Sequence, residues 1–199
     1  KEIHEQPDVI RNFLSGKLHT ADTEVKLSEV KLDKESLKNL NRIQVVACGT
    51  SLHAALVGKY IIEELCKIPV DVEASSEYIY RTTVTDEHTL VIGVSQSGET
   101  ADSLKALDIA NRTSKTLGIV NVAGSSITRR AQYVIQTQAG PEIGVAATKT
   151  YVAQLTSIYL FAALLAGDEK LLNDLDNVPD FIDEVLLQED YIMELSKRY

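Results

Sequence analysis

Side chains that could bind an anion stand together in the segment SQSGET, residues 95–100. The segment follows an apolar run and precedes a helical pattern, which predicts a connection from a strand to a helix. The first N–H groups of a helix have no partner within the helix and lie at the positive end of its dipole, which favours anions. Four side chains would add donors at this point: Ser95, Gln96, Ser97 and Thr100.

Such a loop could hold a phosphate without arginine or lysine. Hydrogen bonds to a charged partner contribute about 1.5–3 kcal/mol each, so three or four of them suffice. The same donors would suit a neutral polar ligand, and capping of the helix by Ser or Thr together with Glu99 would need no ligand at all. Two nucleotide sites are excluded, because neither the loop GxxxxGK[ST] nor the fingerprint GxGxxG occurs in the sequence.

The chain around this loop alternates between strand and helix patterns. Five apolar runs are expected as strands covered on both faces, since most of them are continuous. Their alternation with helices indicates an α/β fold with one doubly wound parallel sheet. The predicted strands are 43–48, 70–75, 89–95, 116–122 and 133–138, and the predicted helices between and after them are 52–67, 76–81, 102–112, 126–131 and 145–166.

Helical flanks are expected on both sides of this block. Pro7 fits the first turn of a helix over 5–17, because the N–H that proline lacks is unpaired there anyway. A helix over 33–41 would begin at the capping residue Asp33. The acidic, amphipathic stretch 179–199 stops without a capping signal and the sequence does not begin with methionine, so we expect a piece of a longer protein.

Small and hydroxylated residues follow four of the predicted strands. In an open parallel sheet, ligands bind beyond the carboxyl ends of the strands, where the strand order reverses. We therefore expect the four loops to line one crevice with hydroxyl groups. They read CGTS at 48–51, SSEY at 75–78, SQSGET at 95–100 and AGSS at 123–126.

A second unusual segment is AGPEIGVAATKTY, residues 139–151, where small residues lie between Glu142 and Lys149. They would let a ligand or another segment come close, and the alternative is a packing seam with an ion pair inside the chain. His53 could reach the crevice from the loop CGTS or lie on the surface. The sequence shows no metal-ligand spacing and no Ser/His/Asp grouping, so the residues alone identify a binding site and no catalytic group.

The composition excludes several classes of function. The 199 residues suffice for one good-sized domain, and a net charge of −9 without a basic run argues against nucleic acid as a partner. Cys48 and Cys66 form no CxxC motif, which favours a reduced, cytoplasmic protein. The longest apolar segment, 151–167, is interrupted by polar residues and too short for a bilayer, so it predicts a core helix and no membrane partner.

The motifs CGTS, SQSGETADSL and PEIGVAATK, in this order and spacing, resemble the sugar isomerase (SIS) domain of the glucosamine-6-phosphate synthase family. The opening KEIHEQP resembles the segment that joins the glutaminase and isomerase domains of that family. The resemblance covers essentially the whole chain and implies a three-layer αβα sandwich, flavodoxin-like, with a five-stranded parallel sheet and flanking helices. It implies a helical linker at 1–41, the first SIS subdomain at 42–167 and, at 168–199, a helical segment leading to a second SIS subdomain.

The resemblance also implies the site residues. In the family, Ser and Thr of two loops grip the sugar phosphate and nearby hydroxyls, and the backbone of the valine in EIGVA touches the sugar. The catalytic glutamate, the Schiff-base lysine and a histidine that crosses the dimer interface belong to the second SIS subdomain, so no catalytic residue is expected here, Lys149 included. The implied substrate-binding residues are Thr50, Ser51, Ser95, Gln96, Ser97, Thr100 and Val145.

The implied ligand is fructose 6-phosphate or glucosamine 6-phosphate, with no metal and no organic cofactor. The parent enzyme would convert fructose 6-phosphate and glutamine to glucosamine 6-phosphate and glutamate. This chain, without the glutaminase domain and the second SIS subdomain, would bind weakly, turn nothing over and pair as a homodimer through its long apolar helix. Two alternatives stay open: an SIS module that senses a sugar phosphate for a regulator, and another SIS enzyme, such as a phosphosugar isomerase or a deglycase.

Overall fold

A computed structural model describes residues 1–15, 17, 37 and 39–199 of the chain. The five strands are β1 (Arg42–Ala47), β2 (Val70–Ala74), β3 (Thr89–Ser95), β4 (Lys115–Val120) and β5 (Tyr133–Gln136). They form one sheet in the order β2-β1-β3-β4-β5, and all neighbouring pairs are parallel. This is the flavodoxin-like order, so the predicted fold class is confirmed.

The helices that the structure describes follow the predicted alternation. A short 3₁₀ turn at Ile3–Glu5 precedes them. They are α1 (Gln6–Ser15), α2 (Thr50–Cys66), α3 (Ser75–Tyr78), α4 (Ala101–Ala110), α5 (Ser126–Arg130), α6 (Lys149–Ala166), α7 (Glu169–Asp176), α8 (Val178–Leu186) and α9 (Glu189–Ser196). Most of the helix expected over 33–41 lies outside the described residues.

The sheet is covered on both faces, which makes the chain a three-layer αβα sandwich. Successive side chains of a strand point to opposite faces. Val45 of β1 therefore packs in the large core that contains residues of α1, α2 and α6. Its neighbour Val46 packs in a second core with Tyr78 of α3 and Ala106 of α4.

The helix α6 lies in the large core, as its apolar sequence predicts. Among the described residues it is the one helix long and apolar enough to cross a membrane, yet 61% of it is buried inside the fold. It approaches α2 closely at Gly58, where a Cβ atom would lie within 2.5 Å of the Ile158 side chain. Close packing against a second helix is the environment of a core helix.

Two predicted helices have other bounds in the structure. The helix expected from 145 begins at Lys149, because the residues before it form an irregular loop. The stretch 179–199, expected as one helix, divides into α8 and α9 at a tightened turn in which the Gln188 N–H donates to Val185 O over 3.0 Å. The helix α7 lies within the helical segment implied at 168–199, although its own bounds were not predicted, and Asp168 caps it by accepting from the Leu171 N–H.

Candidate functional site

A pocket of about 450 Å³ opens at the carboxyl ends of β1 and β3. The strand order reverses between these two neighbours, which is where open parallel sheets bind ligands. The loops CGTS and SQSGET line the pocket together with residues between 142 and 150. All seven implied contact residues lie at its wall: Thr50, Ser51, Ser95, Gln96, Ser97, Thr100 and Val145.

The other two hydroxylated loops do not line this pocket, so the expectation of one crevice with four loops is wrong. Ser75, which follows β2, is buried and shares a hydrogen bond of 3.0 Å with Ser103 of α4. Ser125, which follows β4, is buried against Gly98, and the Ile127 N–H donates to Gly98 O over 3.1 Å. The first of these loops thus contacts α4, and the second contacts the SQSGET segment.

The SQSGET loop is held in a tight curl by its own hydroxyls. Ser95 Oγ accepts from the Gly98 N–H over 3.0 Å and shares a hydrogen bond of 3.1 Å with Thr100 Oγ1. Ser97 Oγ accepts from the Glu99 N–H over 3.2 Å. Gly98 has φ +68°, a left-handed conformation that glycine adopts without strain. The curl places hydroxyl and amide groups around the start of α4.

Two helices begin at the pocket without a side-chain cap. The cap residue of α4, Thr100, makes no capping hydrogen bond, and neither does Gly49, which precedes α2. The first N–H groups of both helices and the positive ends of both dipoles therefore converge on the pocket. This arrangement favours a negatively charged ligand.

Glu99 does not cap α4, which removes the capping explanation of the loop. Its Oε1 accepts from the Ser126 N–H over 2.7 Å, at the start of α5. These hydrogen bonds with Ser126 hold the pKa of Glu99 below its ordinary value. Glu99 thus adjoins residues of the pocket in the sequence, but its carboxylate binds the start of α5.

Glu142 lines the pocket from the side of α6 and caps that helix. Its Oε1 accepts from the N–H and the hydroxyl of Thr148, each over 2.9 Å, and its Oε2 accepts from the Thr150 hydroxyl. Burial alone would raise the pKa of Glu142, but the bonds from Thr150 and Thr148 outweigh it, and the pKa lies below the ordinary value. The carboxylate is an anion that the chain supplies to its own helix.

Lys149 forms an ion pair within the chain, with Glu5 rather than Glu142. The Lys149 side chain is buried, and its Nζ lies 2.5 Å from Glu5 Oε2. The bond to Lys149 holds the pKa of Glu5 below its ordinary value. The pair, with a buried ammonium and a half-buried carboxylate, ties the N-terminal segment to the start of α6 and keeps the ammonium out of the pocket.

A second contact of the N-terminal segment holds the loop that carries Val145. The Ile143 and Gly144 N–H groups donate to the Glu2 carboxylate over 2.6 and 3.1 Å. Val145 itself is fully exposed at the rim of the pocket. The roles of Glu2 and Glu5 carry no signal in the sequence, since their partners lie more than 100 positions away.

Among the described residues that line the pocket there is no Lys, Arg or His, and Glu142 is the one carboxylate. His53 is exposed and does not line the pocket, so it occupies the expected surface position. Among the described residues no group of three or more His, Cys, Asp or Glu could hold a metal ion. The described part of the wall offers hydrogen bonding by hydroxyls, one amide and helix N–H groups, together with the Cys48 thiol.

Comparison with known proteins gives concordant matches. The family model described as SIS domain matches residues 36–164. A glutamine–fructose-6-phosphate aminotransferase [isomerizing] from Methanothermobacter thermautotrophicus is 51% identical over 98% of this chain and 31% of its own length. The relative of that name from Methanosarcina acetivorans is 45% identical over 100% of this chain and 34% of its own length.

A solved structure agrees with these matches. The C-terminal domain of glucosamine-fructose-6-phosphate aminotransferase from Francisella tularensis superposes with a TM-score of 0.89 and 34% identity, over 98% of this chain and 57% of that one. The chain thus spans about a third of the length of the curated relatives that it matches. It covers little more than half of the structural neighbour.

Proposed function

Because the chain belongs to the SIS domain family, we propose that it is the sugar-phosphate-binding half of the isomerase domain of a glutamine–fructose-6-phosphate aminotransferase. The parent protein would convert fructose 6-phosphate and glutamine to glucosamine 6-phosphate and glutamate. One observation carries the proposal: two uncapped helix N-termini open on a hydroxyl-lined pocket, and the described residues of its wall include no cation. Such a pocket selects an anion attached to a polyhydroxylated body.

The phosphate is assigned to the start of α4. The donors there are the Ser97 hydroxyl, the one of the Ser95 and Thr100 hydroxyls that does not donate to the other, and the first N–H groups of the helix. Three or four charge-assisted bonds of about 1.5–3 kcal/mol each hold the group. Thr50, Ser51 and Gln96 are assigned to the remaining phosphate oxygens and the nearer sugar hydroxyls. The backbone at Val145 closes the far side of the sugar.

Apart from the Cys48 thiol, the described residues of the pocket wall include one group that could move a proton to or from the sugar, the Glu142 carboxylate. This carboxylate is engaged by two threonines and has a lowered pKa, whereas a general base works best with a pKa near the operating pH. The chain therefore binds and orients the sugar phosphate, and the reacting groups come from the parts of the protein outside this chain. Those parts are the glutaminase domain and the second SIS subdomain.

The proposal includes a cytoplasmic homodimer. Leu56, Val57 and Tyr60 are exposed on one face of α2 and offer apolar surface for self-association, whereas α6 is mostly buried in the fold. A sedimentation velocity run on the full-length protein checks this part. A single monomeric species at high concentration contradicts it.

The binding proposal is tested by titration of the full-length protein with glucosamine 6-phosphate, with glucosamine and inorganic phosphate as controls. Ser97→Ala removes one donor at the phosphate and should weaken phosphosugar binding by about 10–100-fold. Ser76→Ala is the matched control, because Ser76 lies in a hydroxylated loop that does not line the pocket. Unchanged affinity in Ser97→Ala overturns the phosphate assignment.

The two alternatives have less support. Two relatives that align with nearly the whole chain, at 51% and 45% identity, both carry the aminotransferase name. Glutamine-dependent formation of glucosamine 6-phosphate by the full-length protein would favour the aminotransferase over both alternatives. Phosphosugar binding without glutamine use favours one of the alternatives.

A further inference from the structure

A buried glutamine stands behind the pocket. Gln154 lies on the core helix α6 and is only 3% exposed. Its Nε2 donates to Ser51 Oγ over 3.0 Å, whereas its Oε1 is buried and has no partner among the described residues. An unpaired buried carbonyl is destabilising, so a role beyond packing is required to account for an amide at this position.

The contact fixes what Ser51 can do in the pocket. Ser51 belongs to the first turn of α2 and lines the pocket. In the described part of the chain its one side-chain hydrogen bond is the one that it accepts from Gln154. A hydroxyl has one hydrogen to donate, so the Ser51 O–H is left available for an acceptor in the pocket.

We propose that Gln154 is a positioning residue that keeps the Ser51 hydroxyl a donor toward the bound phosphosugar. This inference rests on the proposed function, since it needs an acceptor in the pocket. With the amide turned over, Gln154 Oε1 would accept from Ser51, and the hydroxyl would be lost to the ligand. A phosphorylated ligand that accepts from Ser51 stabilises the first arrangement, at the cost of leaving Oε1 unpaired.

A double-mutant cycle in the full-length protein, with binding of glucosamine 6-phosphate as the readout, tests this role. Ser51→Ala should weaken binding by about 10–100-fold, and Gln154→Met, which keeps the volume of the side chain, by about 3–10-fold. The double variant should bind as Ser51→Ala does, because Gln154 acts only through the serine hydroxyl. Thr156→Val is the control, since it removes a buried hydroxyl of α6 whose one hydrogen bond within the described residues is to Val152 O.

A second variant separates positioning from packing. In Gln154→Glu an ionised carboxylate can only accept a hydrogen bond, so the Ser51 hydroxyl donates to it rather than to the ligand. Binding should therefore weaken by at least as much as in Ser51→Ala. Once the introduced carboxyl is protonated it can donate again. The affinity of the variant relative to wild type at the same pH should therefore recover as the pH is lowered toward about 5.

The outcomes separate this inference from the proposed function. An affinity for glucosamine 6-phosphate that is unchanged in Ser97→Ala contradicts the phosphate site itself. Binding that is lost in Ser97→Ala but is unchanged in Gln154→Met overturns only the role of Gln154. An equal loss from Gln154→Met with and without the Ser51 hydroxyl also overturns it, because packing would then explain the effect.

Discussion

The start of α4 and the start of α6 face the same pocket, but the chain supplies a carboxylate to the N–H groups of only one of them. Each offers helix N–H groups and hydroxyls to an anion. At α6 the chain fills the position with Glu142, which accepts from Thr148 and Thr150. At α4 the neighbouring carboxylate, Glu99, is bound to the start of α5, and no carboxylate of the described chain takes its place.

The difference shows how a helix start becomes a ligand site. A filled N-terminus is a structural feature, because its donors are already paired. An N-terminus whose nearest carboxylate is directed elsewhere keeps its donors for a ligand. Glu99 does not line the pocket, but because it accepts from the Ser126 N–H at the start of α5, it leaves the donors at the start of α4 to a ligand.

The largest expected effect comes from Gly98→Ala, which would disrupt the SQSGET loop at the start of α4. The residue has φ +68°, and a Cβ atom would overlap the Ser125 side chain. Left-handed strain of about 1–2 kcal/mol and overpacking of about 1–3 kcal/mol add to a loss of about 3 kcal/mol in the free energy of unfolding. Chemical denaturation measures this loss, and phosphosugar binding should disappear with it.

Gly167→Ala is the matched control for that variant. Gly167 follows α6 in the left-handed conformation, with φ 69° and ψ 31°, but nothing lies within 4 Å of the position of its Cβ. We expect only the strain of about 1–2 kcal/mol. Equal losses in the two variants would show that the contact of Gly98 with Ser125 has no energetic weight.

The second prediction makes the start of α6 resemble that of α4. Glu142→Ala leaves the donors of Thr148 and Thr150 without their acceptor, which should lower the free energy of unfolding by about 1–2 kcal/mol. The emptied position should then bind an external anion. Inorganic phosphate should accordingly raise the melting temperature of the variant more than that of wild type, as measured by thermal unfolding.

Glu99→Ala is the control, because it removes a carboxylate from the start of the five-residue helix α5. It should have a smaller effect on the free energy of unfolding, since Glu99 is exposed. If phosphate stabilises wild type and Glu142→Ala equally, the carboxylate does not occupy an anion site.

The two helix starts also differ in what the sequence can reveal. The SQSGET loop is contiguous, so its donors, its glycine and the following helix are visible in one short stretch. Glu142 precedes Thr148 by six positions, beyond the three of a capping box, and the start of α6 was therefore predicted too early, at 145. The apolar pattern alone does not show that residues 145–148 are irregular.

Contacts between distant segments were beyond sequence reasoning altogether. Glu2 and Ile143 are 141 positions apart, and Ser51 and Gln154 are 103 apart. No local periodicity joins such residues, because only the folded sheet brings them together. The strands were predictable since buried parallel strands are continuous apolar runs. The donors of SQSGET were likewise visible in the sequence, whereas Thr50, Ser51 and Val145 were assigned as contact residues only by resemblance to a family.

The third prediction concerns acid. The folded-state pKa of Glu142 is depressed, so its stabilising contribution is present above the unfolded pKa of about 4.3 and is lost as the pH falls through the lower folded value. Glu142→Gln should therefore lower the free energy of unfolding near about pH 7 by more than it does near about pH 2. Denaturation at both values measures the difference, and a gap between variant and wild type that does not narrow in acid contradicts the role of the charge.

The smallest effect is expected at Glu2, which supports the α6 side of the pocket from the N-terminal segment. Glu2→Ala removes the acceptor of the Ile143 and Gly144 N–H groups, so amide exchange at these two residues should become about 2–10-fold faster. Phosphosugar affinity should fall by about 2–3-fold, because the backbone at Val145 is less firmly placed.

Lys1→Ala is the control for Glu2→Ala, since the one ion pair of the Lys1 side chain within the described residues is an exposed contact of 3.9 Å with Glu5. It should change neither amide exchange nor affinity. An effect of Glu2→Ala on affinity without faster exchange at Ile143 and Gly144 would mean that Glu2 acts by charge rather than by holding the loop. The α6 side of the pocket would then be preformed in the way that the α4 side is, and the contrast between the two sides would lie only in the carboxylate of Glu142.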